Sequence, residues 1–164
     1  MINPEDKFQT LFNALTDAVF IHDLSGRFSE VNDTACEKLG YERSELLKIS
    51  LTDIYIAKDV DLIKEKIEEL KGRKQISFES IHMAKNGEQI PVDVTMKTIY
   101  IENNLVIISI AHDIRKRKKT EEEIQKRANE FEQINKLMVG REIKMIELKK
   151  KVKELELIIA KIKQ

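Results

Sequence analysis

The sequence predicts an α+β fold: a five-stranded antiparallel sheet with short helices on one face, followed by a long C-terminal coiled-coil helix. Three observations predict it. Between Ile76 and His112, apolar residues fall into three runs. The middle run alternates, with Ile90, Val92, Val94 and Met96 set against Pro91, Asp93, Thr95 and Lys97. Near the N-terminus, Ala18–Asp23 and Phe28–Val31 flank the turn Leu24-Ser25-Gly26-Arg27, as the arms of a hairpin do. From Asp113 to Lys163 the apolar period lengthens to that of a coiled coil, and no proline interrupts it.

In chain order, Phe8, Leu11, Phe12 and Leu15 recur at helical spacing. Residues 1–16 are read as an N-terminal amphipathic helix that must lie against something. After the hairpin, Asn32 stands at a good N-cap position, and a short helix from Asp33 to Leu39 is expected to stop at Gly40. Ser44–Leu47 is a further helical turn. Asp59 is expected to cap a third helix, on which Val60, Ile63, Ile67 and Leu70 share a face, with Gly72 beyond its end. Ile76–Met83 reads as a strand. Lys85-Asn86-Gly87-Glu88 turns it back, because Asn-Gly accepts positive φ. The alternating strand follows, with one buried face and one wet face. Glu102-Asn103-Asn104 makes the next turn, and Leu105–His112 is expected to be the last and most buried strand. Residues 17–114 are thus read as one domain and 115–164 as the coiled-coil helix.

Composition narrows the function. The 164 residues carry 29 Lys+Arg and 29 Asp+Glu, so no bulk attraction to a polyanion is implied. Cys36 is the one cysteine, which rules out an intrachain disulfide and points to a reducing compartment. The longest apolar run, Leu105 to Ala111, falls far short of the ~20 residues that cross a bilayer, and the first residues show no signal-peptide pattern. A cytoplasmic protein without membrane insertion is expected.

The rod is the most explicit feature. Ile124, Phe131, Met138, Met145, Val152 and Ile159 occupy one heptad position. Three residues after each come Arg127, Ile134, Arg141, Leu148, Leu155 and Ile162. A continuous helix of this length would run about 75 Å, too long to bury its seam inside a small domain. It needs a partner, and a homodimer is expected. In a parallel pair Lys151 faces Glu156, which attracts, while Lys144 faces Lys149, which repels. Gly140 in mid-helix costs about 1 kcal/mol relative to Ala. Arg127 and Arg141 each forgo the roughly 1.5–3 kcal/mol of a buried apolar side chain. The coil is therefore expected to be weakest near residues 140–144. Val139, Ile143 and Ile146 form a second apolar stripe away from the seam, read either as scattered surface residues or as a docking face.

The chain from about Phe8 to Arg117 resembles a PAS domain. The marks are Ile21-His22-Asp23-Leu24-Ser25-Gly26-Arg27 leading into Glu30-Val31-Asn32, then Leu39-Gly40-Tyr41 with Ser44-Glu45-Leu46-Leu47. Later come Asp59, the turn Lys85-Asn86-Gly87, and Asp113-Ile114 at the exit. The resemblance implies a five-stranded antiparallel sheet whose helices enclose a small pocket, in a protein that senses a ligand, light or redox state, or simply pairs, and signals to an effector. The family's exit motif is usually Asp-Ile-Thr; here Arg115 takes the third place. The rod, particularly Asn135–Lys149, resembles linkers that follow such domains in bacterial and archaeal sensor histidine kinases. An effector kinase or response-regulator partner is implied.

Candidate sites follow from the same residues. Haem-binding members commonly use a histidine on the long helix, and Ile56–Leu70 contains none. His22, His82 and His112 lie on expected strands and are read as ordinary strand residues, so no metal site is assigned. The flavin-photochemical members place a cysteine in an Asn-Cys-Arg-Phe-Leu-Gln run, whereas Cys36 sits inside the first short helix and reads as a small hydrophobe. No cofactor is expected; haem and covalent flavin chemistry are disfavoured. A small colourless ligand stays open, with Phe20, Tyr55, Phe78, Val92, Val94 and Ile107 as candidate pocket lining. A filled core is the equal alternative.

Two sharper motifs are set aside. Ser109–Arg115 loosely resembles a histidine-kinase phosphoacceptor box, but His112 ends a strand-like run and no nucleotide-binding region follows it. Arg115–Lys119 before heptads resembles a basic-region zipper, but Glu121-Glu122-Glu123 follows at once. A solvated helix start, with no nucleic-acid partner, fits better. Asp113, Ile114 and Arg115 are the expected signal-transmission junction. The seam is Ile124, Phe131, Ile134, Met138, Met145, Leu148, Val152, Leu155, Ile159 and Ile162. The expected role is a non-enzymatic sensor or adaptor in a two-component type pathway; the alternative is a scaffold that uses fold and coil only to pair.

Overall fold

The computed structural model describes residues 3–101 and 104–162, without the side chain of Ile162. The turn expected at Glu102 and Asn103 lies outside the described residues, and so does the side chain of Ile162, expected in the seam. The chain divides into two units, residues 1–116 and 117–164.

In the first unit, helix α1 (Pro4–Asn13) precedes the hairpin β1 (Ala18–His22) and β2 (Phe28–Val31). Helices α2 (Asp33–Leu39), α3 (Arg43–Leu46) and α4 (Val60–Lys71) follow, with 3-10 turns at Leu51–Ile54 and Ala57–Asp59 between the last two. Strands β3 (Gln75–Met83), β4 (Gln89–Ile101) and β5 (Asn104–Asp113) complete an antiparallel sheet in the order β2-β1-β5-β4-β3. The fifth strand therefore lies in the middle, joining the early hairpin to the later pair, and its C-terminal end leads into α5 (Arg115–Ile162).

Local chemistry fixes these elements. Asp23 closes the β1–β2 turn by accepting from the Ser25 amide at 2.8 Å, the Ser25 hydroxyl at 2.6 Å and the Arg27 amide at 3.0 Å. Gly26 sits at φ +85°, and a Cβ there would also meet Leu51 Cβ at 3.2 Å, so only glycine fits without a shift. Asn32 caps α2 through the Ala35 amide at 3.0 Å, and Gly40, at φ +70°, ends that helix in the left-handed region. The Asn86-Gly87 turn forms as expected, with Gly87 at φ +85° and the Asn86 side chain accepting from the Glu88 amide at 2.9 Å.

Sheet alternation splits the core in two. Phe20, Val94, Met96 and Ile107 point to the side covered by α2, α3 and α4, where Leu39, Leu46, Ile63 and Leu70 meet them. Val19 and Ile21 point the other way and meet Phe12 of α1, with Val106 and Ile108 half-buried beside them. The short helices from α2 on share one face, as expected; α1 covers the opposite one.

Two local expectations are corrected. The most buried strand is β1, with all five residues buried, and not β5. The continuous apolar run of β5 suggested cover on both faces, but α1 reaches only part of its outer face and leaves Ile110 exposed. Asp59 precedes α4, yet its side chain makes no cap bond. It turns to β3 instead and accepts from the Ser80 hydroxyl at 2.6 Å and the Ile81 amide at 3.3 Å. A charge-assisted bond in a half-buried place outcompetes an exposed cap.

Candidate functional site

The interior lies between the sheet and the helices. β1 supplies Phe20, β3 supplies Phe78, β4 supplies Val92 and Val94, and β5 supplies Ile107. Tyr55 follows the first 3-10 turn and bridges to His82 of β3. All six expected lining residues fall in one packed cluster; five are buried and Phe78 is half-buried at its margin.

Sequence reasoning treated the histidines alike, and the structure separates them. His82 is 3% exposed, its ring edge-on to Tyr55 at 4.6 Å and to Phe20 at 5.9 Å. Its Nε2 is buried and has no hydrogen-bond partner among the described residues. Burial pulls its pKa down to about 3, so it is neutral at physiological pH. His22, wholly buried, is satisfied. Its Nδ1 lies 2.9 Å from the Asp23 carbonyl, which can only accept, so Nδ1 carries the proton. Nε2 then accepts from the Ser109 hydroxyl at 2.7 Å. Burial lowers the His22 pKa, against a smaller opposing pull from the Asp23 carbonyl and carboxylate. His112 is exposed on β5, with Nδ1 2.8 Å from Asp17 Oδ1. The signal that marks His82 was present in its strand: it is in phase with the inward Ile76 and Ser80.

At the exit, Ile114 is buried and its amide donates to the Pro91 carbonyl at 3.0 Å, which holds the chain against β4. Asp113 accepts from the Arg115 amide at 3.0 Å, and its Oδ2 accepts from Arg115 Nη2 at 2.6 Å and Nε at 3.0 Å. Partial burial opposes ionisation of Asp113, but the Arg115 bonds outweigh it and hold the carboxyl below its usual range. The other side of the Arg115 guanidinium donates to Glu88, at the end of the β3–β4 turn. Arg115 thus joins the end of β5 to that turn. The link through Glu88, 27 residues away, was not legible from the sequence.

A family model described as the PAS domain matches residues 16–116. The chain belongs to the PAS domain family. Solved PAS structures share the fold. That of an HTR-like protein from Haloarcula marismortui is 24% identical, with a TM-score of 0.62 over 67% of this chain and 91% of that one. A PAS domain from Colwellia psychrerythraea is 20% identical, with a TM-score of 0.63 over 70% and 99%. A PAS domain from a two-component sensor histidine kinase is 24% identical, with a TM-score of 0.59 over 66% and 96%. Among curated proteins, the methyl sulfide methyltransferase-associated sensor of Methanosarcina acetivorans is 28% identical over 145 residues, or 87% of this chain. The chain spans about 14% of that sensor's length.

Cys36 lies on α2 of the PAS domain, half-buried against the core. Burial is the main influence that pushes its thiol pKa up, so it stays protonated and a poor nucleophile. In the second unit, α5 is continuous to Ile162. Its seam side chains Ile124, Phe131, Ile134, Met138, Met145, Leu148, Val152, Leu155 and Ile159 are each exposed by 52–65%. Among the described residues, no helix is long and apolar enough to cross a membrane.

Proposed function

We propose that this chain is a dimeric, non-catalytic signalling module. Its PAS domain, at residues 17–114, biases a parallel coiled coil at residues 115–164, and the output serves a two-component type pathway. The observation that carries this reading is the direct run of the central strand into α5. A change in the sheet at β5 reaches the helix through Asp113, Ile114 and Arg115, where Ile114 alone separates strand from helix. Arg115 reports at the same time on the β3–β4 turn through Glu88. The pair to Glu88 is exposed and the Arg115 end of the pair to Asp113 is solvated, so their role is to orient the helix start rather than to stabilise the fold. The seam residues give the output its partner, a second copy of the chain. The exposed Phe8 and Leu11 of α1, Leu15 just beyond it and Ile110 of β5 offer the PAS domains a surface for pairing too. The resemblance to a curated sensor and to a sensor-kinase PAS domain supports a sensing role. The pocket of this chain's PAS domain would be lined by Phe20, Tyr55, Phe78, Val92, Val94 and Ile107 and would take a small colourless ligand.

The close packing of those six residues favours a second reading, a scaffold that uses the fold and coil only to pair. Native mass spectrometry followed by mild denaturation separates the two. A dimer with a released small molecule is the sensor's result. A bare dimer that gains no mass when offered metabolite mixtures supports the scaffold, and a monomer contradicts both.

A further inference from the structure

We propose that the face of α5 formed by Val139, Ile143 and Ile146 docks an acidic amphipathic helix of a partner, alongside the two-stranded coil. The inference rests on the dimer reading above. Between Leu137 and Leu148 the helix carries Leu137, Met138, Val139, Ile143, Met145, Ile146 and Leu148, each exposed by 52–75%. At ~100° per residue they spread over roughly 240° of its circumference, interrupted by Arg141 and Glu142. A two-stranded coil covers one stripe. Met138, Met145 and Leu148 supply that stripe, and Leu137 flanks it. Val139, Ile143 and Ile146 lie beyond its reach. A helix apolar over most of its circumference needs more than one neighbour to bury it.

Charge selects the neighbour. Followed at alternating spacings of four and three, the second stripe continues C-terminally to Lys150 and Lys153 and N-terminally to Lys136 and Glu132. The last two are paired with each other at 2.8 Å. A second copy packed parallel would set Lys150 on Lys150 and Lys153 on Lys153. Packed antiparallel, it would set Lys136 opposite Lys150, with only Glu132 opposite Lys153 in return. A helix whose apolar stripe runs on into aspartate or glutamate only beyond the patch, clear of Glu142 and Glu147 at its edges, meets both lysines with the opposite charge and leaves Glu132 to Lys136.

The test uses the whole chain and two labelled synthetic helices. One carries leucine at the same alternating spacing and glutamates beyond the stripe; its twin carries lysines there. Fluorescence anisotropy and sedimentation velocity are read together. The glutamate helix is expected to bind the dimer without splitting it. The lysine twin should bind about tenfold weaker or worse, a loss of at least ~1.4 kcal/mol. The combined variant Val139→Ser, Ile143→Ser, Ile146→Ser should lose the glutamate helix by a similar factor, yet stay dimeric and equally helical. Equal binding of both peptides, undiminished binding by the variant, or no binding to an intact dimer overturns the proposal alone. A wild-type tetramer that the variant reduces to a dimer also overturns it, because the occupant is then a second copy. A monomeric wild type overturns the dimer reading itself.

Discussion

Replacing Asn32 with alanine is expected to lower the unfolding free energy by about 3 kcal/mol or more, read as a fall in urea midpoint at unchanged slope. Asn32 is wholly buried where three elements meet. Its Oδ1 accepts from the Val19 amide at 2.9 Å and the Ala35 amide at 3.0 Å. Its Nδ2 donates to the carbonyls of Asp17 at 2.9 Å and Phe12 at 3.3 Å. One side chain therefore ties the end of α1 and the start of β1 to the cap of α2. Truncation strands the buried Val19 amide, which costs about 1–3 kcal/mol by itself, and removes a helix cap worth about 1 kcal/mol. Asn32→Asp should be at least as damaging. It keeps the acceptor but sets a carboxylate against two carbonyl oxygens in a dry site. A loss under about 1 kcal/mol in the alanine variant would show that the site relaxes around the gap.

The second large effect is acid sensitivity centred on His82. Its folded pKa, about 3, lies below the ordinary value of 6.5. A depressed folded pKa means that the unfolded chain binds the proton first. The stability that His82 contributes is complete above pH 6.5 and is lost as pH falls toward 3. At about 1.4 kcal/mol per unit, the loss reaches roughly 3 kcal/mol by pH 4. His22, also depressed by burial, adds in the same direction. His82→Leu removes both the proton and the unpartnered Nε2. At neutral pH the variant should equal or exceed the wild type by about 1–3 kcal/mol. Its stability curve between pH 6.5 and 4 should also be flatter by about 3 kcal/mol. Parallel curves for the two proteins would contradict this role of His82.

Most of the fold was legible because its signals are local. Asn32 and Gly40 bound α2 where the capping rules put them, and the alternation of β4 gave its inward residues directly. The strand order was not read from the sequence, because it depends on which edges of distant strands meet. The burial of β5 was overread for a related reason: an apolar run says that cover is tolerated, not that α1 is long enough to supply it. Asp59 was misplaced as a cap because its competing partners, Ser80 and Ile81, come some twenty residues later. The site divides the same way. Asp113 and Ile114 announced themselves by motif, whereas Glu88 and the unpartnered nitrogen of His82 emerge only when the strands are brought together.

The most direct test of the parallel coil is disulfide trapping through its strong half. In a Cys36→Ser background, cysteine is placed at Leu155 in the seam or at Glu154 one residue outside it, and the protein is oxidised at low concentration. In a parallel, in-register pair the two Leu155 Cβ atoms face each other, within reach of the ~3.5–4.5 Å that a disulfide needs. Leu155→Cys is expected to give a covalent dimer nearly completely, and Glu154→Cys little. No covalent dimer from Leu155→Cys, or equal trapping at both positions, would contradict a parallel seam and the transmission route built on it.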